Sequence, residues 1–216
     1  YGIIDTCGFP KDTFYYYQAW WSDRTVLHVF PHWNWQGREG QKIDVWAHTN
    51  CDTVELFLNG RSLGRKKVRT ASHASWQVPY KPGALVAKGY RKGKQVATAQ
   101  VETTGAPAAI KLIADRTLLK ADGEDVAMVR VEVVDSRGRL VPTAENEIAF
   151  EVAGNGHVLG VANGDPSSHE PDKASRRRVF GGLCQVIVQA STAQGQVRLT
   201  ATAPGHATIA TGMFPS

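Results

Sequence analysis

Two stretches of the sequence set chemically capable residues close together. In His32-Trp33-Asn34-Trp35 two indoles flank an amide. An aromatic ring can lie against the apolar face of a pyranose and an asparagine can bond its hydroxyls, so Trp33, Asn34 and Trp35 are candidate sugar contacts. The competing reading is that tryptophans in a β-sandwich plug its core or a domain junction. The second stretch is Asn163-Gly164-Asp165-Pro166 with His169, Glu170 and Asp172. Its carboxylate and carbonyl oxygens suit calcium, but the spacing matches no calcium loop and turn chemistry explains the same residues. No metal and no cofactor is expected. Ser168, His169 and Asp165 make a nucleophilic triad only on paper. Neighbours this close in sequence rarely reach the required geometry, and no strand-turn-helix surrounds them.

The remaining reactive or charged groups read as structural. The net charge of +5 is uneven, with 14 Lys/Arg against 8 Asp/Glu in residues 1–106 and 11 against 12 in residues 107–216. The densest basic cluster is Arg61, Arg65, Lys66, Lys67 and Arg69. It can meet phosphates, but cations along a strand are also a common guard against edge-to-edge pairing, and no nucleic-acid partner is expected. Arg176-Arg177-Arg178 reads as a solvated run beside Glu170 and Asp172. Cys7, Cys51 and Cys184 are too few and too scattered for a disulfide framework or a zinc cluster, which leaves buried thiols. No apolar run approaches the roughly 20 residues that cross a bilayer, so no membrane partner is expected.

The elements that would position these residues are strands. From Thr25 onward, turn signals recur at short intervals between runs rich in Val, Ile, Thr and aromatics, the pattern of an all-β chain. Ile43 to His48 alternates apolar with polar. Val54 to Leu58 leads into Asn59-Gly60, a tight-turn dipeptide, and then Arg61 to Gly64, which predicts a hairpin. Further strands are expected at 73–78, 83–90 and 95–102, giving a sandwich of about seven strands. Thr103-Thr104-Gly105-Ala106-Pro107 reads as a linker. Beyond it, strands are expected at 109–115, 126–135, 148–152, 157–161, 182–190, 196–203 and 208–213. Before Thr25 the pattern changes. Thr13 to Trp21 reads as a short helix with Pro10 or Asp12 near its start, and its crowd of aromatics demands cover on more than one side.

At these residues a resemblance enters. Tyr1 to Asp12, with Tyr15-Tyr16-Tyr17 and Trp20-Trp21, resembles the closing strand, loop and helix of the catalytic barrel in glycoside hydrolase family 2. Leu27 to Trp35, Asp44-Val45-Trp46 and Asn50 to Gly60 resemble the immunoglobulin-like domain that follows the barrel in bacterial β-galactosidases of that family. Ala121 to Asp125, Asn163 to Glu170 and Phe180 to Cys184 resemble their final sandwich.

The resemblance implies an all-β fold with two immunoglobulin-like β-sandwiches in tandem, behind a helical remnant of a (β/α)8 barrel. The expected divisions are 1–24 for the remnant, 25–104 for the first sandwich and 105–216 for an invasin-like second. With no initiator Met or leader at Tyr1, the start is expected to be a cut inside a longer protein. The implied parent is a retaining β-galactosidase or related glycosidase of the periplasm or cell exterior. Its two catalytic glutamates would lie upstream, so no catalytic residue is expected here. The chain would be an inactive accessory region that braces the barrel of the same polypeptide and contributes to the wall of its pocket. Lys11, with Asp5 and Asp12, would follow the last barrel strand, on the face where barrel loops line active sites, which makes Lys11 a candidate sugar contact. Helix capping is the competing role for Asp12. The alternatives are a carbohydrate-binding module or an adhesin-like structural array. Exposure of Trp33, Trp35 or Trp76 separates a sugar platform from a brace, because a platform needs open rings.

Overall fold

The computed structural model describes residues 2–204 and 206–215. It is built almost wholly of antiparallel strands, with one helix, α1 (Asp12–Trp21). Contacts between Cα atoms divide the chain into two compact units. One takes in the residues up to Asp5 and Pro10–Thr103, and the other takes in Thr6–Phe9 and Thr104 onward.

The first unit is a seven-stranded sandwich of β1 (Leu27–Phe30), β2 (Lys42–Thr49), β3 (Thr53–Leu58), β4 (Arg61–Lys67), β5 (His73–Pro79), β6 (Ala84–Arg91) and β7 (Lys94–Glu102). One sheet runs β1-β2-β5 and the other β4-β3-β6-β7. The alternation read in the sequence points Ile43, Val45 and Ala47 of β2 and Ala74, Trp76 and Val78 of β5 inward, against Val54 and Leu56 of β3 and Leu85 and Ala87 of β6. At roughly 25 cal/mol per Å² of apolar surface removed from water, such interdigitated side chains supply the main driving force for the fold.

The expected hairpin is β3–β4. Asn59 and Gly60 both hold positive φ, 50° and 82°, the requirement of a twisted two-residue turn. The Asn59 side chain accepts from Ala84 N at 2.8 Å and donates to Pro82 O at 3.0 Å, tying the turn to the neighbouring strand. The basic cluster lies on and just beyond β4, an edge strand. Arg65 is paired with Glu55 at 2.9 Å and lies over the Tyr90 ring.

The helix begins one residue earlier than expected, and Asp12 does not cap it. Lys11 occupies the capping position, no side chain closes the first turn, and the Asp12 carboxylate reaches His28 instead. The reason is a better partner: an imidazole presented by β1 competes with backbone N–H groups that water can satisfy.

The second unit contains β8 (Ala109–Ala114), β9 (Val126–Val134), β10 (Glu147–Gly154), β11 (Gly156–Ala162), β12 (Arg176–Arg178), β13 (Leu183–Ala190), β14 (Gln196–Ala203) and β15 (His206–Pro215). They form the sheets β12-β10-β14-β15 and β11-β13-β9-β8. Val129, Val131 and Val133 point inward from β9, while Arg130 and Glu132 pair on its outer face at 3.0 Å. Asp135, buried at the end of β9, accepts the N–H groups of Gly105, Arg137 and Arg139 and the Arg139 guanidinium. That guanidinium, and then the backbone donors against the opposing pull of desolvation, hold its carboxyl well below the usual range.

Arg176-Arg177-Arg178 is not the wholly solvated run read from the sequence. It forms β12, and the two-residue period of a strand turns the middle arginine inward while its neighbours stay exposed. Cys7, Cys51 and Cys184 are free and buried. Burial pushes the Cys184 thiol far above its ordinary value, so it does not ionise at neutral pH.

Candidate functional site

The loop after β1 follows a cis Phe30–Pro31 bond. Trp33 is wholly buried. Its indole N–H donates to Lys81 O at 3.0 Å, its ring meets Tyr80 edge to face at 5.2 Å, and its carbonyl accepts from Thr103 Oγ1 at 2.6 Å. Trp76 is also buried. Trp35 is half-buried, and its N–H donates to His32 O at 2.9 Å. The His32 ring stacks on it at 4.7 Å, and the Arg38 guanidinium lies 5.0 Å from its centroid. The Asn34 N–H donates to His32 Nδ1 at 3.2 Å. Thus Trp33, Asn34 and Trp35 share one loop, but the Trp33 and Trp76 rings are committed to the core and Trp35 is in contact with His32 and Arg38.

Lys11 is exposed at the head of α1, where its N–H donates to Ile3 O at 3.0 Å. Burial lowers the pKa of His32, and the charge of Asp12, next to Lys11, partly opposes that shift.

A second aromatic array was not legible in the sequence. The register places His28 opposite His48 and His48 opposite His73, with Phe30 opposite Trp46. Since directly paired residues project to the same side, and Val29, Val45 and Ala47 take the core side, three imidazoles form one row across the outer face of β1-β2-β5. Trp46 and His73 stack at 4.1 Å, and Phe30 and His48 lie 4.7 Å apart.

Helix α1 lies on this face. Tyr15 stacks on His28 at 3.9 Å, Tyr16 meets His48 at 5.4 Å, and Asp12 Oδ1 is 2.7 Å from His28 Nε2. Covered in this way, His48 has its pKa lowered to about 4, by burial first and then by its neighbours His28 and His73. Its Nδ1 is buried without a hydrogen-bond partner, as is the Trp20 indole N–H. Meanwhile Trp21 at the helix end is 78 % exposed. The individual histidines were visible in the sequence, but only the strand register brings them together.

Glu55, Asp122 and Asp135 are each held below the ordinary carboxylate range by hydrogen bonds. Among the described residues no group of three or more His, Cys, Asp or Glu is arranged to hold a metal ion, and no helix is long and apolar enough to cross a membrane.

Residues 110–210 match the glycoside hydrolase family 2 C-terminal domain 5, and residues 40–97 match a domain of unknown function, DUF4982. Together with the relatives below, these matches indicate a C-terminal piece of a glycoside hydrolase family 2 enzyme. It is 46% identical over 207 residues to the β-galactosidase BoGH2A of Bacteroides ovatus, covering 95% of this chain and 24% of that protein. It is 30% identical over 214 residues to a β-glucuronidase of Formosa agariphila, covering 94% of this chain and 21% of the relative. The crystal structure of a β-glycosidase from Bacteroides vulgatus superposes with a TM-score of 0.95 at 36% identity, over 100% of this chain and 28% of that one. The chain therefore spans about a quarter of the length of these family 2 relatives. That places the sandwiches and the helix in a family 2 setting and accounts for the all-β architecture.

Proposed function

We propose that this chain is the non-catalytic accessory region of a retaining family 2 β-glycosidase, and that it braces the catalytic barrel of the same polypeptide. The observation that carries this reading is the seating of α1. One side of the helix is stacked on the imidazole row of the first sandwich, while Trp21 stands 78 % exposed at its end with the Tyr17 ring 4.6 Å away. An exposed indole backed by a second ring suits a further surface of the same protein. The burial of Trp33 and Trp76 favours a brace over a sugar platform built on those rings.

A β-galactoside is the proposed substrate of the intact enzyme, on the strength of 46% identity to a β-galactosidase against 36% to a putative β-glucuronidase and 30% to a β-glucuronidase. Lys11, at the head of α1, is the proposed contributor to the pocket wall; Trp33, Asn34 and Trp35 are proposed to act by holding their own loop rather than by stacking on sugar. The periplasm or cell exterior is the proposed compartment, on family resemblance, and fractionation of cells producing the longer parent checks it.

The functional test is hydrolysis of p-nitrophenyl β-D-galactopyranoside and the matching β-D-glucuronide. The 216-residue chain is expected to turn over neither, and the parent is expected to prefer the galactoside. Turnover by the chain alone would overturn the accessory reading. Preference of the parent for the glucuronide would overturn the substrate.

A further inference from the structure

We propose that the second sandwich carries a subsite for a neutral pyranose, in a cavity of about 330 Å³ beside the exposed ring of Phe180. This does not depend on the accessory reading, since every residue involved lies in the second unit.

The cavity is bordered by Phe180, Glu145, Asp165, Ser168, His169 and Glu170, among others. Its volume stands at the low end of the roughly 300–1,000 Å³ typical of small-molecule sites, which suits one or two sugar rings. Phe180 is 50 % exposed, unusual for a phenylalanine in a sandwich. It is also firmly held: Phe180 N donates to Leu183 O at 2.8 Å and Leu183 N to Phe180 O at 3.1 Å, closing a two-residue turn of Gly181 and Gly182. An aromatic ring on a held backbone beside polar groups is what the C–H face and the hydroxyl rim of a pyranose require.

The part of the lining drawn from the 163–172 loop is organised by Arg177, only 5 % exposed. Its guanidinium donates to Glu170 O at 2.8 Å, Asp172 Oδ1 at 3.1 Å and Asn163 Oδ1 at 3.1 Å, which fixes the 163–172 loop. Asp165 Oδ1 accepts from Ser167 N at 2.8 Å, which leaves the second carboxylate oxygen for a hydroxyl. The Ser168 hydroxyl accepts from Glu170 N at 3.4 Å and keeps its proton to donate. Glu145 adds a second acceptor and the exposed His169 a ring nitrogen. Arg177 is spent on the loop, and Arg178, the arginine that borders the cavity, donates to Glu145 O at 3.2 Å; the carboxylates of Glu145, Asp165 and Glu170 outnumber that one cation, which favours a neutral sugar over a uronate. The turn residues that looked like an incomplete calcium loop in the sequence thus become one wall of a sugar cradle.

Saturation-transfer NMR of the chain with methyl β-D-galactopyranoside, methyl β-D-glucopyranoside and methyl β-D-glucuronide tests the proposal. Transfer to the ring C–H protons of at least one neutral glycoside is expected, with a Kd on the order of millimolar. F180A should weaken it by about tenfold, the worth of one stacked ring. E145Q, which removes a charge but none of the loop's hydrogen bonds, should weaken it by a few fold, and W21A, at an exposed ring of the first unit, should leave it unchanged. No transfer to either neutral glycoside at about 50 mM, well above a millimolar Kd, would overturn the subsite. So would equal transfer in a folded F180A variant, or a preference for the glucuronide.

Discussion

Tyr15 and His28 stack face to face with their ring centroids 3.9 Å apart and their planes 14° apart. Through this pair a ten-residue helix, too short to persist alone in water, becomes part of a β-sandwich. His28 also receives the Asp12 carboxylate, so one imidazole anchors the helix at two points a turn apart.

Replacing Tyr15 with alanine is therefore expected to cost about 2–3 kcal/mol, from lost apolar burial together with a stacked pair worth about 1 kcal/mol. W21A, at an exposed ring, should stay within about 0.5 kcal/mol. Urea denaturation of both variants checks the contrast, and equal effects would mean that the helix is not held by its stacked face.

The imidazole row makes the first sandwich sensitive to acid. His48 is held near pH 4 in the fold and has an ordinary value near 6.5 when unfolded. Above about pH 6.5 both states are neutral and stability is at its full level. As pH falls from 6.5 toward 4 the unfolded chain takes up a proton that the fold refuses, so stability declines, with a ceiling near 3 kcal/mol from this group. The groups facing it are His28, His73, Tyr16 and Phe30, with the Asp12 charge opposing the shift. H48Q should flatten the fall in melting temperature between pH 6.5 and 4.5. An unchanged slope would assign the sensitivity to other groups.

Much of the architecture was legible because strand alternation and turn chemistry agree locally. Asn59-Gly60 announced its hairpin, and Val129 to Val133 announced which side of β9 is buried. What could not be read is what register decides. His28, His48 and His73 lie 20 and 25 positions apart and become neighbours only when β1 and β5 both pair with β2. The inward turn of Arg177 was hidden for a related reason. Three successive arginines look like a solvated run until a strand assigns alternate residues to opposite faces. The tryptophans of the 32–35 loop could be read as sugar contacts or as core, and only their burial separates the two for Trp33.

The two loop tryptophans should behave unequally. Trp33 is fully enclosed and donates to Lys81 O, so W33A should cost about 3–5 kcal/mol. Trp35 is half-buried beneath His32, and W35A should cost about half as much. Thermal melting of both variants provides the check; a W33A protein as stable as W35A would contradict the core role of Trp33.

Gly181 and Gly182 make another matched pair. Both have positive φ, 60° and 79°, so alanine strains the backbone at either. At Gly182 a Cβ would also stand 2.4 Å from Val141 O, whereas at Gly181 the nearest atom is 4.0 Å away. G181A should cost about 1 kcal/mol and G182A about 3 kcal/mol or more. Similar losses in the two variants would mean that the turn relaxes away from Val141.

Arg177 sets the last expectation. It is 5 % exposed, and its fork reaches Glu170 O, Asp172 Oδ1 and Asn163 Oδ1 while Nε, buried without a hydrogen bond, sits 3.5 Å from Glu170 Oε2. Lysine keeps the charge but has one nitrogen where the loop is gripped at three points in different directions. R177K is therefore expected to lose about 2–3 kcal/mol, chiefly from hydrogen bonds of the buried fork left unmade. R177M, which removes the charge, leaves Asp172 exposed to solvent and Asn163 Oδ1 with only the Asp165 N–H at 3.3 Å, while the Glu170 carbonyl loses its guanidinium donor, so it should lose a similar amount. Hydrogen exchange locates the damage: amides of the 163–172 loop should open first in both variants, while those of β9 and β13 hold. Uniform opening across the second sandwich would show instead that Arg177 supports the core as a whole rather than the loop.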